Sequence, residues 1–255
     1  MPIDYVSLDD ARAHTSTRIV TSSLVPSPWS EAVKAMFEIT KLPCVVVARG
    51  RDNKDIDAWS RADNVPVVLH GDEPPRTNWA AIVGLVARLA PGAIVPADPA
   101  ARAEVMGLVD LIAGENGLGW TSRLAMIRAS ITSEGKRGFM LPVGAYLAKR
   151  YGYTPDVDDS ALRTRVSAQL AVLRARLGGA DYFGGSTPSA IDAYMAAFLT
   201  PLSQIDETHC PQLMPALRQA FGTAAELLAD LVPETLWALR TRMFERHLSW
   251  PIRLA

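Results

Sequence analysis

Cysteine is scarce: Cys44 and Cys210 are the two in a chain of 255 residues. So distant a pair builds no disulfide framework, and neither has companions at metal-ligand spacing. A reducing, cytoplasmic setting is the expectation. An excess of either charge is missing too, since 26 Lys and Arg stand against 27 Asp and Glu, a net charge of −1. That balance excludes the basic footprint of a nucleic-acid binder. The longest apolar stretch, near Ala80 to Ala87, is far short of the roughly 20 residues of a membrane span, so no membrane partner is expected. Met1 to Tyr5 has neither the basic start nor the apolar centre of a signal peptide. Repeats and low-complexity segments are missing as well. What remains is ample core-forming material, 49% apolar against 21% charged, enough for one large or two small domains.

The stretch Asp63-Asn64-Val65-Pro66-Val67-Val68-Leu69-His70 organises the first part. Proline cannot donate to a central ladder, so Pro66 belongs at the entry of a strand running from Val67 to His70. An X-Pro bond is also the common place for a cis peptide, although a trans proline would start a strand equally well. Upstream, residues 1–17 are mixed and polar and read as an irregular arm. Arg18 to Thr21 is a short β-type run. Ser27 stands as an N-cap with Pro28 at the first helical position, and Val33, Met36, Phe37 and Thr40 continue at helical spacing. Cys44 to Ala48 is a second strand. Arg49 to Asp63 reads as loop or short helix. After the turn at His70 to Glu73, Pro74-Pro75 occupies the place of a further strand. Asn78 caps a helix whose apolar face is Ile82, Leu85, Val86 and Leu89.

Residues 92–98 read as a linker, and the pattern beyond it is helical. Val105 to Ile112 forms one helix. Gly114 to Gly119 interrupts it and Trp120 to Ile131 resumes. Leu141 to Tyr151 is a short helix or turn-rich piece. Leu162, Val166, Leu170, Leu173 and Leu177 make one apolar stripe. Ser189 and Asp192 form a capping box that opens a strongly apolar helix from Ala193 to Leu199. Further helices are expected from about Pro211 to Leu231 and from Glu234 to about Arg246. The tail around His247 to Pro251 is expected to pack back on the first part.

This order of elements resembles the glutathione S-transferase family over nearly the whole chain. Three segments carry the resemblance. Asn64 to Leu69 is similar to the family's cis-proline strand. Gly185-Ser186-Thr187-Pro188-Ser189-Ala190-Ile191-Asp192 is similar to its capping segment. Ser27-Pro28-Trp29-Ser30 is similar to the helix start that carries the activating residue in serine- and cysteine-type members. The resemblance implies an α/β plus all-α chain. Its thioredoxin-like, glutathione-binding domain would span residues 1–91, followed by an all-helical domain over 99–255 that lines the electrophile pocket. It also implies a homodimer, with glutathione as co-substrate and a small apolar electrophile as partner; the ligand spacing leads to no expectation of a metal.

Within that frame Ser27 is the candidate that orients and ionises the thiol, with Ser30 as runner-up. Lowering a thiol pKa by about two units requires roughly 2.7 kcal/mol. A charge-assisted hydrogen bond supplies about 1.5–3 kcal/mol and a helix N-terminus about 0.3–1 kcal/mol. Ser27 serves equally as a plain N-cap. Val65 and Pro66 would pair with the peptide, and Asn78 and Trp79 would meet its γ-glutamyl end. Asn78-Trp79 stands where the family has an acidic residue followed by serine, so a weakened or displaced γ-glutamyl grip is expected. Glu115, Trp120 and Arg123 are the candidates for the second-substrate pocket, or else surface residues of a helix bent by its glycines. Phe139 and Tyr146 belong to the pocket or to the core. Cys44 reads as an inert core thiol, and His209-Cys210 offers too few ligands for a metal. Two alternatives remain: a non-catalytic ligand-binding member, and an ether-cleaving, dehalogenating or isomerising one.

Overall fold

The computed structural model describes residues 3–50 and 53–255. It opens with β1 (Asp4–Tyr5), α1 (Leu8–Ala13), β2 (Thr17–Ser22), α2 (Pro28–Thr40) and β3 (Cys44–Arg49). Then come α3 (Lys54–Ser60), β4 (Val67–His70) and α4 (Trp79–Leu89). The sheet order is β1-β3-β2-β4. β1 and β2 run parallel to β3, and β4 runs antiparallel to β2. Ile19 is the register point, opposite Val46 on one side and Val68 on the other.

Side chains alternate across a strand, and both faces are buried. Ile19, Val46 and Val68 face the main core with Val33, Met36, Phe37, Ile82 and Val86. Their neighbours Val20, Val47 and Val67 form a second cluster with Ala11 and Ile56. That second cluster corrects the reading of residues 1–17. Of these, Met1 and Pro2 lie outside the described residues. The rest are not an irregular arm but contain β1 and α1, whose Ala11 is fully buried on the sheet. Ser7 caps α1 by accepting the Asp10 N–H at 3.1 Å. Six residues are too few for a periodic signal. In the Arg49–Asp63 stretch, of which Arg51 and Asp52 are not described, the short helix α3 forms. At the place of Pro74-Pro75, pairing shrinks to one antiparallel bridge between Val68 and Arg76.

The helical part comprises α5 (Pro99–Ala113), α6 (Leu118–Thr132), α7 (Leu141–Tyr151) and α8 (Asp159–Leu177). α9 (Ala190–Leu199), α10 (Pro215–Leu228) and α11 (Glu234–Arg246) follow. Every residue of α9 is buried, and the helix packs against α2, α5 and α11. Its capping box is complete. The Ser189 N–H and hydroxyl donate to Asp192 Oδ2 at 2.7 and 2.8 Å, and the Phe183 N–H donates to Oδ1 at 2.9 Å. Burial still raises the Asp192 pKa above the ordinary carboxylate value, against the pull of these bonds. The whole α8 stripe from Leu162 to Leu177 is buried, as its spacing required.

Two boundaries depart from expectation. The glycines after Ala113 do not bend one helix; they separate two. Gly114 ends α5 by donating to the Asp110 carbonyl at 2.8 Å, Asn116 takes φ 62°, and Gly117 starts α6. Gly119 then lies so close to α9 that a Cβ would sit 2.1 Å from the Phe198 ring. The expected helix start at Pro211 moves to Pro215, which takes the first helical position there. The tail packs back as expected. Ser249 N–H and hydroxyl donate to the Glu38 carboxylate, the N–H at 3.1 Å, and Lys34 Nζ donates to the Arg253 carbonyl at 3.1 Å. Among the described residues no helix is long and apolar enough to cross a membrane.

Candidate functional site

A cleft of about 800 Å³ lies between the sheet and the helices α6 and α7. Its size falls in the usual range of small-molecule sites, roughly 300–1,000 Å³. Ser27, Val65, Pro66, Asn78, Trp79, Glu115, Trp120 and Arg123 all line it. The structure therefore brings together residues that the sequence scatters over almost a hundred positions. Ser30 is the exception. It is fully buried behind the cleft wall, and its hydroxyl has no partner among the described residues.

Ser27 sits at the N-cap of α2 with extended backbone, and its side chain makes no capping bond. Its carbonyl accepts the Glu31 N–H at 2.9 Å, which closes the first helical turn. Pro28 has no N–H to offer, so the orphan donors of this helix end are those of Trp29 and Ser30. The positive end of the helix dipole favours an anion there. Among the described residues a half-buried hydroxyl is thus left uncommitted beside the electropositive end of a helix. One turn on, Lys34 is buried and paired with Glu31 at 2.8 Å. Burial works against its charge, but Glu31 and Tyr5 outweigh it and hold the pKa above the ordinary lysine value.

The Val65–Pro66 peptide bond is cis. Among the described residues neither the N–H nor the carbonyl of Val65 has a main-chain partner. Asn64 Nδ2 donates to the Thr77 carbonyl at 3.3 Å and ties this loop to the start of α4. Asn78 is engaged as the helix cap that its position predicted. Its Oδ1 accepts the Ala81 N–H at 2.9 Å as the α4 cap, so the Nδ2 donors are what it can offer a ligand. Trp79, the first residue of α4, puts a half-buried indole on the wall where a hydroxyl was expected.

Beyond Phe139 and Tyr146, which the sequence offered as pocket or core residues, further side chains line the cleft. Trp29 Nε1 donates to the Ala113 carbonyl at 2.9 Å, and its ring lies 4.8 Å from Phe198 and 6.3 Å from Tyr151. Tyr151 in turn is 4.5 Å from Trp120. From α7 come Val143, Tyr146, Leu147, Arg150 and Tyr151. Their i, i+3, i+4, i+7, i+8 spacing is one helix face, a signal present in the sequence but hidden while the segment could be read as turns. Phe139 is both a buried residue and a lining one. Arg49 reaches the cleft from the end of β3, but Asp57 holds it with two bonds of 2.5 and 2.7 Å. That carboxylate raises the arginine's pKa and has its own lowered in return.

Neither cysteine is among the residues that line the cleft. Cys44 is half-buried, not fully buried as its strand position suggested, and burial pushes its pKa to about 11. Cys210 is fully buried and shifted upward for the same first reason. His209 pairs with Asp206 at 3.0 Å, and no group of three or more metal-ligating side chains occurs among the described residues.

Sequence comparison with family models finds no match, and comparison with curated proteins finds none either. Solved structures do match. A glutathione S-transferase from Xanthobacter autotrophicus Py2 superposes with a TM-score of 0.56 at 18% identity, over 94% of this chain and 96% of that one. A glutathione S-transferase from Pseudomonas fluorescens Pf-5 gives 0.53 at 16% identity, over 91% and 98%. A glutathione transferase family member from the same strain, solved with two glutathione molecules bound, gives 0.50 at 16% identity, over 89% and 93%. The chain has the glutathione S-transferase fold: a thioredoxin-like sheet domain followed by an all-helical one.

Proposed function

We propose that this protein is a glutathione transferase-like enzyme that joins the glutathione thiol to an aromatic or apolar electrophile. Residues 1–91 would hold the peptide and 99–255 the electrophile. The observation that carries the reading is the uncommitted Ser27 hydroxyl at the start of α2, on the wall of the same cleft as the unpaired Val65 backbone and the aromatic face of Trp120 and Tyr151. Glutathione runs along Val65, whose N–H and carbonyl pair with the cysteinyl backbone in the manner of an added strand. Ser27 donates to the sulfur. That bond and the helix end together are worth about 2–4 kcal/mol for a thiolate over a thiol, enough to cover a shift of about two pKa units. The proton leaves to solvent. The sulfur lone pair attacks the electrophilic carbon, a C–S bond forms, and the leaving group departs with the electrons of its own bond. A serine cannot make a mixed disulfide, so thioether chemistry is favoured over disulfide exchange.

Calorimetric titration with glutathione, with S-methyl glutathione as control, tests the first half. Saturable binding at micromolar to low millimolar affinity is expected, and no heat at ~10 mM, the level of only about 2.7 kcal/mol, would sink the transferase reading.

A second reading has its own support. Trp79 on the cleft wall and Asn78 committed as a cap favour a ligand-binding protein that has given up the γ-glutamyl contact. Activity that survives Trp79→Ser and falls at least about tenfold in Ser27→Ala decides for the enzyme; indifference to both decides for the binder. Dimerisation is part of the main reading, and light scattering at micromolar concentration tests it.

A further inference from the structure

We infer that the second ligand of the cleft is an aromatic carboxylate, with Arg123 as the residue that selects its charge. As a statement about the second substrate this rests on the proposed transfer; as a statement about binding it does not.

Trp120 and Arg123 are three residues apart on α6, hence on one helix face, and both line the cleft. The Arg123 guanidinium lies over the Phe139 ring, 5.2 Å from its centroid. A cation–π contact of this kind uses none of the guanidinium N–H donors as conventional hydrogen bonds, so they remain available to meet a carboxylate in pairs. Arg123 is half-buried, and among the described residues it has neither an ion pair nor a hydrogen bond. Other arginines of this molecule are closed by acids: Arg49 by Asp57, Arg128 by Asp159, Arg163 by Asp230, Arg176 by Glu104.

The cleft's own carboxylates do not close Arg123. Asp63 and Glu115 line it, and neither is in an ion pair among the described residues. Glu115 precedes α6, whereas Arg123 lies in its second turn, so a ligand carboxylate would sit toward Arg123 and away from Glu115. Arg150 adds a second positive charge from α7; among the described residues its one side-chain bond is a long 3.4 Å contact to the Tyr146 hydroxyl. Beside these charges stand the rings of Trp120 and Tyr151, 4.5 Å apart. An apolar ring against this pair and a carboxylate on Arg123 satisfy both features at once, whereas a neutral apolar ligand would leave a partly desolvated cation without a partner.

The test uses 2-naphthoate and 2-naphthamide, which share a ring and differ in charge. Each is titrated calorimetrically into the full chain with no thiol present, so this result and the glutathione titration can fail independently. The naphthoate is expected to bind about tenfold more tightly or better, the ratio a charge-assisted hydrogen bond supports. Arg123→Gln is expected to abolish that preference, weakening naphthoate binding far more than naphthamide binding. Should Arg123→Gln not fold, as judged by circular dichroism, Arg123→Lys decides, with the preference reduced several-fold by loss of the planar fork. Equal affinity of the two probes for the native protein, no binding of either, or a preference that survives in the variant overturns the inference.

Discussion

The Ser27 hydroxyl has no capping bond, although N-cap position, extended backbone and a following proline would all have allowed one. A residue that serves only as a cap would be expected to make that bond, worth about 1 kcal/mol. Ser27→Ala should therefore change thermal stability little. Thiolate absorbance of bound glutathione should fall at neutral pH, and kcat/KM should drop about 10- to 100-fold, the equivalent of one charge-assisted hydrogen bond. Asn78 shows the opposite balance, since its Oδ1 is spent on the Ala81 N–H. Asn78→Ala should cost about 1 kcal/mol in chemical denaturation. His247 adds a pH dependence. Its Nε2 lies 2.8 Å from the Tyr182 hydroxyl, and burial, then Lys41 and Arg246, lower its pKa from the ordinary value. A histidine kept neutral in the native state contributes stability that is full above its unfolded pKa, about 6.5, and is lost as pH falls through the folded one. Urea midpoints should decline on acidification below that point, and His247→Gln should flatten this part of the profile.

Two close approaches set how the helices enclose the cleft. Gly144 lets α7 lie against α6; a Cβ there would meet Ser130 Oγ at 2.1 Å. Ser130 cannot swing aside at no cost, because its buried hydroxyl donates to the Phe139 carbonyl at 2.6 Å. Gly144→Ala should destabilise by about 1–3 kcal/mol, as overpacking does. It should also weaken ligand binding, since α7 carries Tyr146, Arg150 and Tyr151 on the cleft. A loss of stability with unchanged binding would show that the helix moves as a rigid piece. Gly119 plays the same part where α6 meets Phe198 of α9.

Across the whole molecule, α2 is the piece on which everything bears. Its first residues face the cleft, Trp29 bonds to the end of α5, one side packs on the fully buried α9, and Lys34 and Glu38 hold the C-terminal tail. Lys34 sits at 6% exposure with Glu31, the Tyr5 hydroxyl at 3.2 Å and the Arg253 carbonyl as partners. Lys34→Ala leaves the Glu31 carboxylate buried without its cation and should cost about 3–5 kcal/mol. Adding Glu31→Gln should recover much of that loss in the same denaturation assay, because the uncompensated charge goes with it. A double variant no better than the single one would assign the cost to tail anchoring instead.

The local elements were written in the chain. The bounds of α2 and β4 follow from a proline at an N-terminus, a proline at a strand entry and apolar spacing, and the apolar stripe of α8 from its period. The capping box of α9 was readable from Ser189 and Asp192 alone. α1 was not, because six residues carry no period, and the Gly114–Gly119 stretch was misread because glycine permits a bend and a full break equally. Of the site, the sequence determined which side chains were chemically capable: the serine before Pro28, the peptide before Pro66, the tryptophan in place of a hydroxyl. Tertiary structure decided which of them meet. It buried Ser30, closed Arg49 on Asp57 and, among the described residues, left Arg123 open. Each of those outcomes depends on contacts between distant segments, and residue type and spacing encode only what lies within a turn or two of the chain.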